Sequence, residues 1–249
     1  MSLRLARLFR HPIKAHGREA LAEVTLSEGR CLPWDRHWAV AHEAAKLTGG
    51  WASSANFSRG AKAPGLQAID AALDAEAHAI TLTHPDRPAL RFRPDDADDA
   101  ARFLDWVAPL VPEGRARPAR VIAVGRGITD TDYQSVSLLN TATNAALGAR
   151  MGMTLDPGRW RGNLWLDGLD PWAEFDLVGR TLAIGDARLR VTEPITRCRA
   201  TMANPATGAI DADTLAAIEA AQGHTDFGVY AVVTQGGTIR AGDAVTVLA

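Results

Sequence analysis

The chain has 249 residues, 47% of them hydrophobic and 22% charged, an ordinary globular composition with material for one large core or two smaller ones. A net charge of -2 and a pI near 6.4 give no overall basic field to draw nucleic acid, so any anion site has to be local. Two cysteines, Cys31 and Cys198, are too few for a disulfide framework, a zinc quartet or iron-sulfur ligation.

The opening residues lack the unbroken apolar core of a signal peptide, and no later run reaches the roughly 18 apolar residues of a membrane helix. The expectation is a soluble cytoplasmic protein with no membrane or nucleic-acid partner. Lysine occurs only at Lys14, Lys46 and Lys62, so the basic side chains are almost all arginine, which either reflects an arginine-rich proteome or suits bidentate recognition of phosphate by its planar fork.

Residues 3 to 9 alternate as a first strand and run into a turn at His11-Pro12. Cys31 stands in a polar turn before Pro33 and receives no role. From Trp51 to Gly65 no period is visible and the stretch reads as loop. Two strands, 78–83 and 89–93, flank a turn at His84-Pro85-Asp86-Arg87. The acidic run Asp95 to Asp99 supplies a cap and first-turn charge for a helix over about 97–108, a better explanation than metal binding. The prolines between Pro109 and Pro118 mark a boundary between domains at 1–112 and 119–249.

Beta structure restarts at Arg120 to Val124. Asn140, Thr141 and Thr143 cap a short helix near 138–147; they either hold a phosphate on its free N-H groups or serve only as caps. Trp160 to Asp167 alternates as a strand, which would turn Arg161 and Asn163 to one side, toward a charged ligand or toward water. A hairpin follows across Gly185-Asp186, a helix over 212–222 ends at Gly223, and 227–234 with 244–248 complete the sheet. Cys198 lies in Thr196-Arg197-Cys198-Arg199; it is either a small buried apolar residue or, where neighbouring guanidinium charge favours the thiolate, a nucleophile and a ligand for soft metals.

The order Trp160-Arg161-Gly162-Asn163, Ala173-Glu174, Ile184-Gly185, Thr196-Arg197-Cys198, Asn204-Pro205-Ala206-Thr207-Gly208 and Phe227-Gly228-Val229-Tyr230 resembles the molybdenum cofactor sulfurase C-terminal (MOSC) domain. The closing Gly237 to Asp243 continues the match. In the first half, His11-Pro12-Ile13-Lys14, Gly29 and Asp35-Arg36-His37-Trp38 resemble the β-barrel domain that precedes MOSC domains in the amidoxime-reducing branch and its bacterial relatives. Two positions depart from that branch. Ala15 and His16 stand where relatives often have serine and cysteine, and Gly49-Gly50 stand where they usually have an arginine.

The resemblance implies a mainly β, α+β protein: a MOSC β-barrel packed with a smaller N-terminal β-barrel-like domain and few short helices. It also implies a molybdenum cofactor (molybdopterin). Lys14, Arg36, Asn140, Thr141, Thr143, Arg161, Asn163 and Arg197 would bind it, and Cys198 would be both metal ligand and catalytic residue. The implied activity is reduction of N-hydroxylated small molecules with electrons from a separate donor protein, since the sequence has no Gly-x-Gly-x-x-Gly loop or ferredoxin-like cysteine set. The alternative is a non-catalytic cofactor binder, or a carrier of sulfur as a Cys198 persulfide. Lys14 and Arg36 are expected to meet Arg161 and Asn163 in one cleft between the halves.

Overall fold

Residues 2–248 are described by a computed structural model of the protein. In chain order the first half contributes β1 (Arg4–Arg10), β2 (Glu19–Leu21), β3 (Glu23–Leu26), β4 (Trp38–His42), β5 (Asp70–Asp74), β6 (Ala79–His84), β7 (Arg87–Phe92) and helix α1 (Ala97–Val107). The second contributes β8 (Pro118–Ala123), β9 (Val136–Asn140), α2 (Thr141–Arg150), β10 (Leu164–Asp167), β11 (Thr181–Ile184), β12 (Ala187–Thr196), α3 (Thr214–Gln222), β13 (Asp226–Gln235), β14 (Gly237–Arg240) and β15 (Val245–Leu248). The protein is mainly β with three short α-helices, as the resemblance implied.

The largest sheet runs in the order β15-β11-β12-β13-β9-β10-β1-β2. Every contact in it is antiparallel except β9 with β10, which are joined by α2 as a crossover. Its inward residues, among them Leu138, Leu164, Leu189, Val229 and Val233, form one core, to which Leu5 and Leu8 from β1 belong. A second core lies around Trp38, Phe92, Phe103 and Trp106, between α1 and the sheet β5-β6-β7. Asp96 starts α1 by accepting from Asp99 N at 3.0 Å, so the acidic run is a cap as expected.

The chain crosses between the two cores instead of filling one and then the other. β1 pairs with β10, and β3 pairs with β14, so the N-terminus completes sheets of the C-terminal half. In the other direction β8, which was expected to open the second domain, pairs with β4 of the first.

Candidate functional site

Lys14 enters the site from the turn after β1. Its backbone N-H donates to Trp38 O at 2.7 Å, and its ammonium donates to Ile128 O at 2.9 Å and pairs with Asp130. Burial pushes this ammonium down from its usual range, Asp130 opposes that shift, and the neighbouring Arg36 adds to it. Arg36 is held from behind by Asp35, an almost wholly buried carboxylate that pairs with Arg36 and accepts the His11 backbone N-H at 2.7 Å. Desolvation works against that carboxylate, yet Arg36 and His11 hold it well below the usual range. The other end of the fork donates from Arg36 Nη2 to Arg161 O at 3.1 Å, across the two halves of the chain.

The Trp160-Arg161-Gly162-Asn163 stretch differs from the expected strand, which begins only at Leu164. Pro157–Trp160 form a 3-10 turn that Asp156 caps by accepting from Gly158 N at 2.7 Å, and Arg161 follows in the left-handed region at φ 49°. Arg161 and Asn163 therefore do not share a strand face. Each residue of the motif has its own task. Trp160 stacks on Phe227 with ring centroids 3.7 Å apart. Gly162 lets the backbone pass Leu139, where a Cβ would lie 2.0 Å from Leu139 Cδ1. Asn163 is buried; its Oδ1 accepts from Ser137 Oγ at 2.9 Å, and its Nδ2 donates to Phe9 O at 3.2 Å.

Arg197 arrives at the end of β12. Its Nε donates to Phe227 O at 2.7 Å and its Nη1 to Trp160 O at 2.9 Å, which lays the guanidinium 5.7 Å from the centroids of both stacked rings. Gly228 makes room for it: φ is +77°, and a Cβ there would lie 2.7 Å from Leu138 O and 3.3 Å from Arg197 Nη2. The next residue, Cys198, is exposed.

These groups line one cavity of about 270 Å³. Lys14, Arg36, Arg59, Arg159, Arg161 and Arg197 face it, as do Cys198, Ser58, Ser137 and Tyr230, with Asp130 as the one lining carboxylate among the described residues. Asp35 neutralises Arg36, Asp130 Lys14, and Asp211 Arg159 through a 2.6 Å contact. Arg59, Arg161 and Arg197 have no such partner among the described residues. Burial, together with the Arg36 and Arg18 guanidiniums, pushes Arg161 down to about 9, and burial pushes Arg197 down to about 10. Arg161 Nη1, Arg197 Nη2 and Ser58 Oγ are buried and have no hydrogen-bond partner among the described residues. Orphaned cationic donors in a cavity are costly, and an anion accepting from them removes the cost. Backbone strain gathers at the same place, since Ala15, Arg36 and Arg161 are three of the six non-glycine residues with positive φ.

Lys14, Arg36, Arg161, Arg197 and Cys198 are thus brought together, whereas Asn140, Thr141, Thr143 and Asn163 do not line the cavity. Asn140 caps α2 at Ala142 N and donates to Glu174 Oε2 at 3.0 Å. Thr143 Oγ1 donates to the same oxygen at 2.7 Å, and Thr141 Oγ1 donates to Asp167 at 2.9 Å. These side chains satisfy the buried Glu174, Asp167 and the helix start. Sequence reasoning did not reach Ser58, Arg59, Asp130, Arg159 or Tyr230. Asp130 and Ser58 belong to loops without a period. Arg159 stood beside a motif that did carry a signal.

Among the described residues no three of His, Cys, Asp and Glu cluster as metal ligands. A metal in this cavity would have to arrive with ligands of its own, leaving the Cys198 thiol as the soft protein donor at hand. A ligand that carries both its own metal donors and a phosphate fits the free guanidinium donors.

The sequence matches the MOSC domain model over residues 125–246 and the model of the MOSC N-terminal beta barrel domain over residues 2–114. A solved structure of YuaD protein from Bacillus subtilis is 13% identical, with a TM-score of 0.47 over 98% of this chain and 94% of that one. YiiM from Geobacillus stearothermophilus is 19% identical, with a TM-score of 0.37 over 46% of this chain, and YiiM from Escherichia coli is 17% identical, with a TM-score of 0.35 over the same share. The chain spans only 54% of either YiiM structure. No curated protein matches it.

Proposed function

Because the chain belongs to the MOSC family, which is associated with the molybdenum cofactor, we propose that it binds that cofactor and reduces N-hydroxylated compounds with electrons from a separate donor protein. The observation that carries this reading is the pair of unpartnered guanidinium donors, Arg161 Nη1 and Arg197 Nη2, in the cavity that Cys198 also lines. Arg161, Arg197 and the ammonium of Lys14 would hold the phosphate, and the Cys198 thiolate would be the protein's ligand to the metal. Ala15 lines the cavity without a polar group to offer, and Gly49-Gly50 do not line it.

When bound, the cofactor would supply two-electron redox chemistry, and reduction of an N-OH group to N-H with release of water consumes two electrons and two protons. The protein's own part is to position. Asp35 and His11 fix Arg36, and the Trp160-Phe227 stack fixes Arg197, so little reorganisation is needed when an anion enters. Burial pushes the Tyr230 hydroxyl up from its usual range. Its proton therefore stays on Oη, where the hydroxyl can donate a hydrogen bond to an oxygen in the cavity.

The test is to produce the protein in a host that builds the cofactor and to measure bound pterin, bound molybdenum and reduction of an aromatic amidoxime. Cys198→Ala is expected to keep pterin and lose at least a hundredfold in turnover, and Cys31→Ala to keep both. Arg161→Gln is expected to lose pterin while its ligand-free melting temperature does not fall, because the charge it removes is one that burial disfavours. A persulfide on Cys198 without turnover would instead favour the sulfur carrier. Equal pterin, metal and activity in wild type and Cys198→Ala would reject both readings.

A further inference from the structure

Beside the main cavity is a second one, of about 240 Å³, and the two share a wall made of Phe57, Ser58 and Arg59. The wall is firmly built. Phe57 is buried against Ala39, Ala41 and Ile128, and the Ser58 backbone N-H donates to Val40 O at 2.9 Å. Lys62 N and Ala63 N both donate to Arg59 O at 3.0 Å, a tight turn that sets Arg59 and Lys62 on one side of the second cavity. Arg115 lines it as well, in a turn where its N-H donates to Pro112 O at 3.3 Å.

The charge in this cavity has one sign. Arg59, Lys62 and Arg115 line it together with His42, and no carboxylate does so among the described residues. None of the three cations is in a salt bridge there; the nearest partner found for any of them is Ser54 Oγ, 3.2 Å from Arg59 Nη1. Two buried polar atoms of lining residues are also without a partner among the described residues. Ser58 is only 7% exposed, its N-H is committed to β4, and its Oγ has nothing to bond. His42 Nε2 is taken by Ala55 O at 2.7 Å, and its Nδ1 is left over.

We propose that this second cavity is an oxyanion site, taking a phosphate or carboxylate group on Arg59, Lys62, Arg115 and Ser58 Oγ. An oxyanion is the chemistry that satisfies three unpaired cations and a buried hydroxyl donor together. The group is either a free anion or the acidic end of a ligand that also reaches the main cavity. The site shares the Phe57 to Arg59 wall with the main cavity, whereas Lys62 and Arg115 belong to it alone.

The experiment titrates inorganic phosphate into the Arg161→Gln protein, whose main cavity has lost one of its two unpartnered guanidinium donors, and follows backbone amide shifts by NMR. Saturable shifts at residues 57–63 and 111–116 are expected, and a further Lys62→Gln and Arg115→Gln exchange should weaken binding at least tenfold. Both of those side chains are exposed, so folding should not be at risk. Wild-type protein titrated with hexane-1,6-diol bisphosphate separates the two sources. A tenfold or greater gain over phosphate, with amides of both cavities shifting together, assigns both acidic groups to one ligand, and equal affinity assigns the second cavity to a separate anion. Absence of saturable shifts at those residues, or phosphate binding unchanged by the Lys62 and Arg115 exchanges, would overturn the proposal.

Discussion

His16 packs edge-on against Phe103 with no exposed surface, and its Nδ1-H donates to Lys14 O at 2.8 Å. Its Nε2 is buried with no hydrogen-bond partner among the described residues, so the neutral form is the one the packing accommodates beside Lys14. Burial lowers His16 to about 4 and, with Arg161 adding to the effect, lowers the buried His11 to about 3. In the unfolded chain both take up a proton near pH 6.5. The stability that depends on neutral histidine is thus complete above about pH 6.5 and is lost as the pH falls toward 4, at about 2 kcal/mol for His16 by pH 5. The melting temperature should drop between pH 7 and pH 5, and His16→Asn, which keeps a donor for Lys14 O, should flatten the fall. An equal slope in wild type and His16→Asn would refute this account.

At the scale of elements, the short motifs around the cavity work as pieces of backbone geometry more than as catalytic groups. Gly162 and Gly228 mark where β10 and β13 run close to β9. Gly162→Ala would overlap the end of the Leu139 side chain, which can shift at a cost of about 1 to 3 kcal/mol. Gly228→Ala would meet a backbone carbonyl and would also need a left-handed φ, so its cost should be the larger of the two. Urea denaturation of the two variants should rank them in that order, and a reversed order would contradict this reading of the approach. The Asn204 turn is a similar case. Its Oδ1 accepts from Ala206 N at 2.8 Å and its backbone O from Gly208 N at 2.8 Å, which presents Pro205 O to Arg18 Nη2 at 3.0 Å.

Across the whole molecule, the same Arg18 donates from Nη1 to Gln67 O at 2.6 Å, and Gln67 Nε2 donates to Ala200 O at 2.8 Å, so the halves are sewn together beside the cavity. With β1 covering the edge of β10 and β3 covering β14, a piece containing only residues 119–249 would expose two strand edges and the core surface under Leu5 and Leu8. That piece is expected to be insoluble or to lack dispersed amide resonances, while the full chain unfolds in one transition. A well-dispersed spectrum from residues 119–249 alone would show that the exchanged strands are dispensable.

What was legible in the sequence was local. The α1 cap at Asp96, the hairpin with Gly185-Asp186 at its tip and the helix closed by Gly223 each follow from residues within a few positions of one another. The motifs around Arg161 and Cys198 were legible as well, because steric and hydrogen-bonding needs fix the residue types there. Tertiary structure alone decided that Arg161 leaves the strand for a left-handed turn, because the stack of Trp160 on Phe227 and the approach of Gly162 to Leu139 are contacts between distant strands. It decided, too, that Asn140 and Thr143 spend their donors on Glu174, a carboxylate over thirty positions away that burial leaves in need of them. Pairing of β1 with β10 and of β4 with β8 has the same origin: strand edges and apolar faces are satisfied by whichever segment the folded chain brings beside them, and sequence distance does not enter that requirement.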